Sequence, residues 1–334
     1  MLNGHRMEVM RHLEGFVQEK IPGLLKTEET YWQPTDFLPE LSTEQGFEEV
    51  RELQQYAREL PYDLLVVLIG DMITEEALPS YSAWIASVDG FAATGEATTS
   101  WGEWARKWTA EENRHGDALN RYLYLTGRVN MREVEVTVQN LISDGGDVAT
   151  GADPYKAFTY TSFQEIATNV SHRNVAQQAR EAGDERLGRL CSFVAGDERR
   201  HARAYKLFYE KCLEVDTSEA IIAFYDMMRS KITMPAMYMR ERGKKIGETF
   251  AKFADIAEAR GIYTRWDYAE ILESLLKTWK IADQTGLTPE AEKAQEYLCS
   301  LPGRYKKLAQ RRPFVPSEEN HGFLWLDEPL PGEA

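Results

Sequence analysis

The sequence predicts an all-α chain with a four-helix core holding two metal ions, extended by further helices. Helical periodicity runs almost throughout its 334 residues, while strand signals are sparse. Two short segments nearly repeat each other: Glu111-Glu112-Asn113-Arg114-His115 and Asp197-Glu198-Arg199-Arg200-His201. Each carries a Glu-x-x-His step and lies downstream of a lone candidate glutamate, Glu75 or Glu76 for the first and Glu165 for the second. Positions i and i+3 share one helix face, so Glu112 with His115 can grip one ion and Glu198 with His201 another. Four helices giving two single glutamates and two Glu-x-x-His pairs make the ligand set of a di-iron carboxylate bundle.

With 38 Glu and 6 His in the chain, composition alone predicts roughly 0.7 Glu-x-x-His pairs. Three occur, so one is expected to be noise. Glu318 with His321 is that one: it follows Pro313-Phe314-Val315-Pro316 and has no upstream glutamate on a helix. The other two stand in matching contexts within long Pro-free stretches.

The elements follow in order. Residues 5–20 read as an amphipathic helix stopping near Pro22-Gly23, followed by a Pro-containing segment from Trp32-Gln33-Pro34 to Leu38-Pro39 and a polar helix over 44–59. Pro61 with Asp63 opens a long apolar helix that runs to Val88 and ends at Asp89-Gly90. After a Gly/Ala/Thr loop, a helix over 100–125 stops at Thr126-Gly127, and one over 130–143 is broken by Asp144-Gly145-Gly146-Asp147. A helix from Pro154 carries Glu165, and the one after Gly183-Asp184 carries Glu198 and His201. Helices near 218–230, 234–259, 266–281 and 288–299 complete the chain. With no linker composition, 1–334 reads as a single helical domain, its ends (about 1–30 and 313–334) peripheral.

A net charge of −15 argues against nucleic acid as partner. An acidic partner needs a local basic patch, and two are candidates: Arg240-Glu241-Arg242-Gly243-Lys244-Lys245, and Arg304-Tyr305-Lys306-Lys307 with Arg311-Arg312. The best apolar run, Leu64 to Ile69, is far too short to span a membrane, so no membrane insertion is expected. The first residues carry neither a signal peptide's apolar region nor a transit sequence. Cys191, Cys212 and Cys299 are isolated and odd in number, as in a reducing compartment. A cytoplasmic location is expected.

Pro79 lacks the N–H that would bond the carbonyl of residue 75, so that helix should kink beside the candidate ligand. Periodicity does not choose between Glu75 and Glu76. Thr168, one turn after Glu165, can offer its hydroxyl to bound oxygen or bond back to its own helix. Trp108, one turn before Glu112, is placed to buttress that ligand, and Asp197 to orient a ligand histidine. Tyr205, one turn after His201, reads as core rather than as a radical site. His172, His5 and His12 lack ligand partners at helical spacing and read as structural or surface residues. Carboxylate oxygen with imidazole suits iron or manganese better than zinc or copper. Carboxylates buried without a cation would be strongly penalised.

The chain resembles the soluble acyl-[acyl-carrier-protein] desaturases, the family of the plastid stearoyl carrier-protein desaturase and its actinobacterial relatives. The matching stretches are Val66-Val67-Leu68-Ile69-Gly70-Asp71-Met72-Ile73-Thr74-Glu75-Glu76-Ala77-Leu78-Pro79, Trp108-Thr109-Ala110-Glu111-Glu112-Asn113-Arg114-His115-Gly116-Asp117 and Tyr160-Thr161-Ser162-Phe163-Gln164-Glu165. Shorter ones are Trp32-Gln33-Pro34, Asp226-Met227-Met228-Arg229 and Leu301-Pro302. The resemblance implies a ferritin-like four-helix di-iron bundle core extended by additional helices. It implies an O₂- and ferredoxin-dependent homodimer that introduces a cis double bond, expected at Δ9, into an acyl chain on acyl carrier protein. It selects Glu75 over Glu76, with Glu112, His115, Glu165, Glu198 and His201 as the other ligands. Thr168 matches the threonine near bound oxygen, and Trp32, Trp108 and Asp197 match positions implicated in orientation and in the arrival of electrons. Trp84, Ser87, Val88, Ala157 and Phe158 match the methyl end of an acyl tunnel, where a bulky Trp84 would favour a chain shorter than stearoyl. The 90–101 loop is one residue shorter than in the plastid enzymes, and the tail after Pro313 diverges. The competing readings are another di-iron oxidase or radical subunit, and a non-enzymatic iron-binding bundle.

Overall fold

A computed structural model describes residues 4–91, 99–311 and 322–326. Most of the 90–101 loop, Arg312 and the Glu318/His321 pair lie outside them. The described residues form α-helices, short 3₁₀ turns and one isolated β-bridge, Val129 with Leu326. None of these helices is long and apolar enough to cross a membrane.

Four helices close the core. Helix α3 (Tyr62–Glu76) packs on α5 (Ser100–Thr126), α5 on α8 (Glu185–Val215), α8 on α7 (Pro154–Glu181), and α7 back on α3. Leu64 to Gly70 of α3 are buried without a break, as a helix apolar on every side requires. The others begin on side-chain caps. Thr99 accepts from Gly102 N at the head of α5, Asp153 accepts from Tyr155 N and Lys156 N at α7, and Asp184 accepts from Leu187 N at α8. Helix α5 ends at Gly127 in the left-handed region, φ 67°.

The long apolar helix expected over 61–88 is two helices, because α3 stops at Glu76 and α4 (Leu78–Ala86) starts afresh. Ala77 N bonds back to Thr74 O, and Pro79 has no N–H to offer Glu75. The last turn of α3, which carries Glu75, is thereby freed from a continuing helix. Gly116 sets how near α5 comes to it. A Cβ there would lie 3.1 Å from Glu76 N and 3.2 Å from the Glu75 carbonyl carbon.

Around this core lie α1 (Gly4–Leu24), α2 (Glu44–Glu59), α6 (Met131–Asp144), α9 (Thr217–Ser230), α10 (Glu248–Ala259), α11 (Arg265–Thr278) and α12 (Pro289–Arg311). Two expected helices change here, and α1 buries Val9, Met10, Leu13, Val17 and Ile21 against α5 and α8. Near the other end Trp325 is fully buried and donates its indole N–H to Thr137 Oγ1 at 2.9 Å. The helix expected over 234–259 is a 3₁₀ turn, Pro235–Tyr238, then an irregular stretch through Gly243 and Gly247 at φ 75° and 90° before α10 begins. Helix α12 runs on through Pro302 to Arg311, well past Cys299.

Candidate metal centre

The core helices bring six predicted residues into two overlapping groups: Glu75, Glu112, His115 and Glu198, and Glu112, Glu165, Glu198 and His201. Within each, one ligand atom per residue lies within 4.8 Å of all the others, so each can hold a metal ion. Glu112 and Glu198 belong to both groups, and they are the two glutamates of the Glu-x-x-His steps. Glu75 is brought to the cluster, whereas Glu76 is half-buried near Asp117 and Asn120.

Both histidines turn Nδ1 inward. His115 Nδ1 is 2.9 Å from Glu198 and 3.2 Å from Glu112, and His201 Nδ1 is 2.6 Å from Glu112 and 3.5 Å from Glu165. His115 Nδ1, His201 Nδ1, Glu112 Oε1, Glu165 Oε2 and Glu198 Oε1 are buried without a hydrogen-bond partner. Five buried nitrogen and oxygen atoms converging without a hydrogen-bond partner suit a cation. Burial opposes charge on both histidines, yet the surrounding glutamates, Glu112 first, hold their pKa values well above the ordinary imidazole range. Burial, then Glu198 and Glu112, pushes the Glu165 carboxyl well above its ordinary range. Burial also opposes the Glu75 carboxylate, but His115 and His172 bring it down to about 2.

The outward nitrogens are served crosswise. Asp197 on α8 faces His115 Nε2 on α5 at 3.5 Å and accepts the Trp32 indole N–H at 2.8 Å. Glu111 on α5 faces His201 Nε2 on α8 at 2.8 Å. Asp197 was legible as an orienting group; Glu111 was missed. Its signal is the near-repeat itself, in which Glu111 occupies the place of Asp197. Arg114 and Arg200 also hold equivalent places, and Arg200 reaches both acids. Lys26 ties the two together, its N–H donating to Glu111 at 2.6 Å and its Nζ lying 3.0 Å from Asp197. Burial disfavours both carboxylates, but His201 holds Glu111 down to about 2, and His115 holds Asp197 lower still. Trp32 is buried and stacks over His115, ring centroids 5.9 Å apart.

The Trp108 indole N–H crosses the bundle to Glu165 Oε1 at 3.0 Å, so its one hydrogen bond goes to that ligand and not to Glu112, one turn along its own helix. Thr168 Oγ1 lies 3.1 Å from Gln164 O and is also hydrogen-bonded to Glu198 Oε2. His172, expected to be structural or at the surface, is buried with Nε2 2.9 Å from Glu75 Oε1. The available signal was its spacing, seven residues after Glu165 on one face of α7. Tyr205 is core, edge-on to Trp104 and Trp108. His5 and His12 are exposed.

Two cavities open onto the cluster. The narrower, about 120 Å³, is mostly apolar and is lined by Glu75, Glu112, Glu165 and Glu198 together with Thr168, Tyr160 and Trp84. The wider, about 560 Å³, runs between α7, α10, α11 and α12 to Tyr305 and Leu308. Thr74, Glu75, Thr168 and Met234 line both. Of the five residues matched to a tunnel end, Trp84 lines the narrow cavity and four do not. Ser87 is exposed just after the end of α4, and Val88, Ala157 and Phe158 are buried in the apolar core. The Trp84 indole donates to Thr150 Oγ1 at 2.8 Å and meets Tyr160 edge-on.

The family described as fatty acid desaturase matches residues 5–326. The chain is 46% identical over 324 residues to stearoyl-[acyl-carrier-protein] 9-desaturase 1, chloroplastic, of Arabidopsis thaliana, covering 96% of this chain and 82% of that protein. It is 48% identical over 307 residues to the chloroplastic stearoyl-[acyl-carrier-protein] 9-desaturase of Ricinus communis, covering 92% and 77%. In fold it is similar to the X-ray structure of DesA2 of Mycobacterium tuberculosis H37Rv. The TM-score is 0.52 at 19% identity, over 86% of this chain and 99% of that one.

Proposed function

The chain belongs to the fatty acid desaturase family, and we propose that it works as an acyl-[acyl-carrier-protein] desaturase through two iron ions held by Glu75, Glu112, His115, Glu165, Glu198 and His201. The carrying observation is that all four of these glutamates line one small, mostly apolar cavity. Metal ligands on the wall of an apolar cavity are what oxidation of an unactivated chain needs. When bound, the iron pair supplies the reduction of O₂: two C–H hydrogens, two further electrons and two protons go with O₂ to two waters, leaving a carbon–carbon double bond.

The protein's residues do the rest. Glu111 and Asp197 hold the outward nitrogens of His201 and His115, leaving Nδ1 of each to the metal. Thr168 holds one oxygen of Glu198 beside the cavity, which supports reading its hydroxyl as the catalytic one of the site. In this reading the acyl chain passes from the wider cavity, across Thr74, Glu75, Thr168 and Met234, into the narrow one. Trp84, pinned by Thr150, stops the methyl end and favours chains shorter than stearoyl. Ferredoxin is the proposed electron donor, with Trp32 and Asp197 leading to His115. A cytoplasmic homodimer completes the proposal.

Of the two basic clusters, Arg240 is paired with Asp144 and Arg242 with Glu133. The α12 cluster borders the wider cavity, with Lys307 and Arg311 exposed beside Tyr305 and Leu308. That side is the proposed seat of the acidic carrier protein. The test is mass spectrometry of products from palmitoyl- and stearoyl-carrier protein with ferredoxin, its reductase, NADPH and O₂. Full iron loading without unsaturated product would reject the function and leave the metal site standing.

A further inference from the structure

At one place the narrow cavity is closed by an aromatic ring laid against a glycine. Among the described residues that line it, Gly146 alone is exposed to solvent. The Tyr238 ring lies on that glycine: a Cβ at Gly146 would come within 2.7 Å of Cδ2 and 2.9 Å of Cε2. Gly145 is in the left-handed region at φ 66°, but Gly146 is not, so its backbone does not call for glycine. What the missing side chain permits is the approach of the ring. The backbone on both sides is anchored. Asn140 Nδ2 donates to Arg240 O at 3.1 Å, Arg240 Nη2 lies 2.9 Å from Asp144 Oδ1, and Ala236 and Met239 are buried. The Tyr238 hydroxyl donates to Asp147 O at 2.7 Å in an exposed position, where water can replace the bond. The ring is therefore the part of this wall that can move.

We infer that Tyr238 over Gly146 is a side door to the narrow cavity, passing O₂ inward and water outward while an acyl chain fills the way in from the wider one. Resting on the acyl passage and iron site proposed above, the door answers a need of that reaction. Each turnover consumes one O₂ and leaves two waters beside the glutamates, in a mostly apolar space of about 120 Å³. A chain lying across Thr74, Glu75, Thr168 and Met234 stands between the cluster and the wider cavity. Water released into an apolar slot lacks the two to four polar partners that would hold it there. O₂ carries no charge and enters such a slot without the desolvation cost of an ion. Leu141, Val148, Met234 and Pro235 line the cavity together with the two glycines and Tyr238. Closed, the ring keeps bulk water off the cluster. Displaced, it leaves only the glycine backbone between cavity and solvent.

The test follows nitric oxide, an uncharged diatomic, binding to iron(II)-loaded protein by stopped-flow absorbance, with and without saturating palmitoyl-carrier protein. Entry through the door scales with the fraction of time it stands open. With the acyl chain bound, Tyr238→Phe is expected to bind nitric oxide about 5-fold faster than wild type, the factor that loss of one neutral hydrogen bond gives. An open state that is a minor one, populated at up to about 10%, leaves room for a rise of about 10-fold or more in Tyr238→Ala. Gly146→Ala, whose new methyl displaces the ring, is expected to match it and stands in for it should Tyr238→Ala fold poorly. Without the acyl chain all four proteins should agree within about 3-fold, the wider cavity then being free. Equal rates in all four with the chain bound would overturn the inference. So would variants faster by the same factor with and without the chain, which marks general loosening. A shift of Tyr238→Ala products toward longer acyl chains would also overturn it, making this wall the end of the acyl passage. The expected split without unsaturated product would sink the desaturase reading and leave the door standing; product without the split would do the reverse. Wild-type binding that the acyl chain does not slow, with no product, would remove both.

Discussion

His201 on α8 turns its outward nitrogen to Glu111 on α5 at 2.8 Å, and His115 on α5 turns its own to Asp197 on α8. Each Glu-x-x-His segment therefore supplies ligands from its own helix and orients the histidine of the other. Glu111→Ala is expected to weaken the metal beside His201 by about 10–100-fold, read by competition with a chelator of known affinity. Unchanged affinity would mean that Arg200 and Lys26 suffice to place the ring.

Gly116 permits the approach that brings Glu75 to Glu112 and His115. In Gly116→Ala the new methyl meets Glu75 and Glu76 backbone atoms at 3.1–3.3 Å. Overpacking of this kind costs about 1–3 kcal/mol, against about 1 kcal/mol gained from better helix propensity. The net expectation is a loss of up to about 2 kcal/mol in denaturant unfolding, with reduced iron content. A variant as stable as its parent and fully loaded would show that the helices give way freely.

Trp84→Leu opens the narrow cavity beyond Tyr160. Product analysis on carrier proteins of increasing acyl length should shift toward longer chains. An unchanged preference would sink the role given to Trp84 and place the end of the cavity elsewhere.

Metal and protons compete for the cluster. In the metal-free protein the pKa values of His115, His201 and Glu165 lie well above their ordinary values, so protons compete with metal for these groups. Affinity should therefore rise with pH and fall as the solution is acidified. Calorimetry in buffers of different ionisation enthalpy should register proton release on metal binding; its absence at neutral pH would contradict the assignment.

Carrier docking at the wider cavity predicts a higher KM for acyl-carrier protein in Lys307→Glu with Arg311→Glu, with kcat little changed. Added salt should raise the wild-type KM in the same direction, by screening exposed charges. A KM insensitive to salt would exclude the α12 face.

The ligands were legible because their signal is local. A three-residue step puts a glutamate and a histidine on one face whatever surrounds the helix, and its repetition raised it above chance. Helix boundaries at Thr99, Asp153 and Asp184 were legible for the same reason, since a cap acts within its own first turn. The expected helix over 234–259 failed where Pro235, Gly243 and Gly247 outweighed the apolar pattern.

The sequence by itself determined an all-α chain and five of the six converging residues; its resemblance supplied the choice of Glu75 and the family. The tertiary structure decided what lies beside each ligand. Glu111 faces His201 across the bundle, the Trp108 indole bonds Glu165, and His172 Nε2 lies 2.9 Å from Glu75 Oε1. It also decided that Trp84 meets the cavity while Val88 and Phe158 do not. The physical reason is that spacing fixes which residues share a helix face. What that face meets depends on the rotation and separation of its neighbours, set here by contacts as distant in sequence as Gly116 against Glu75.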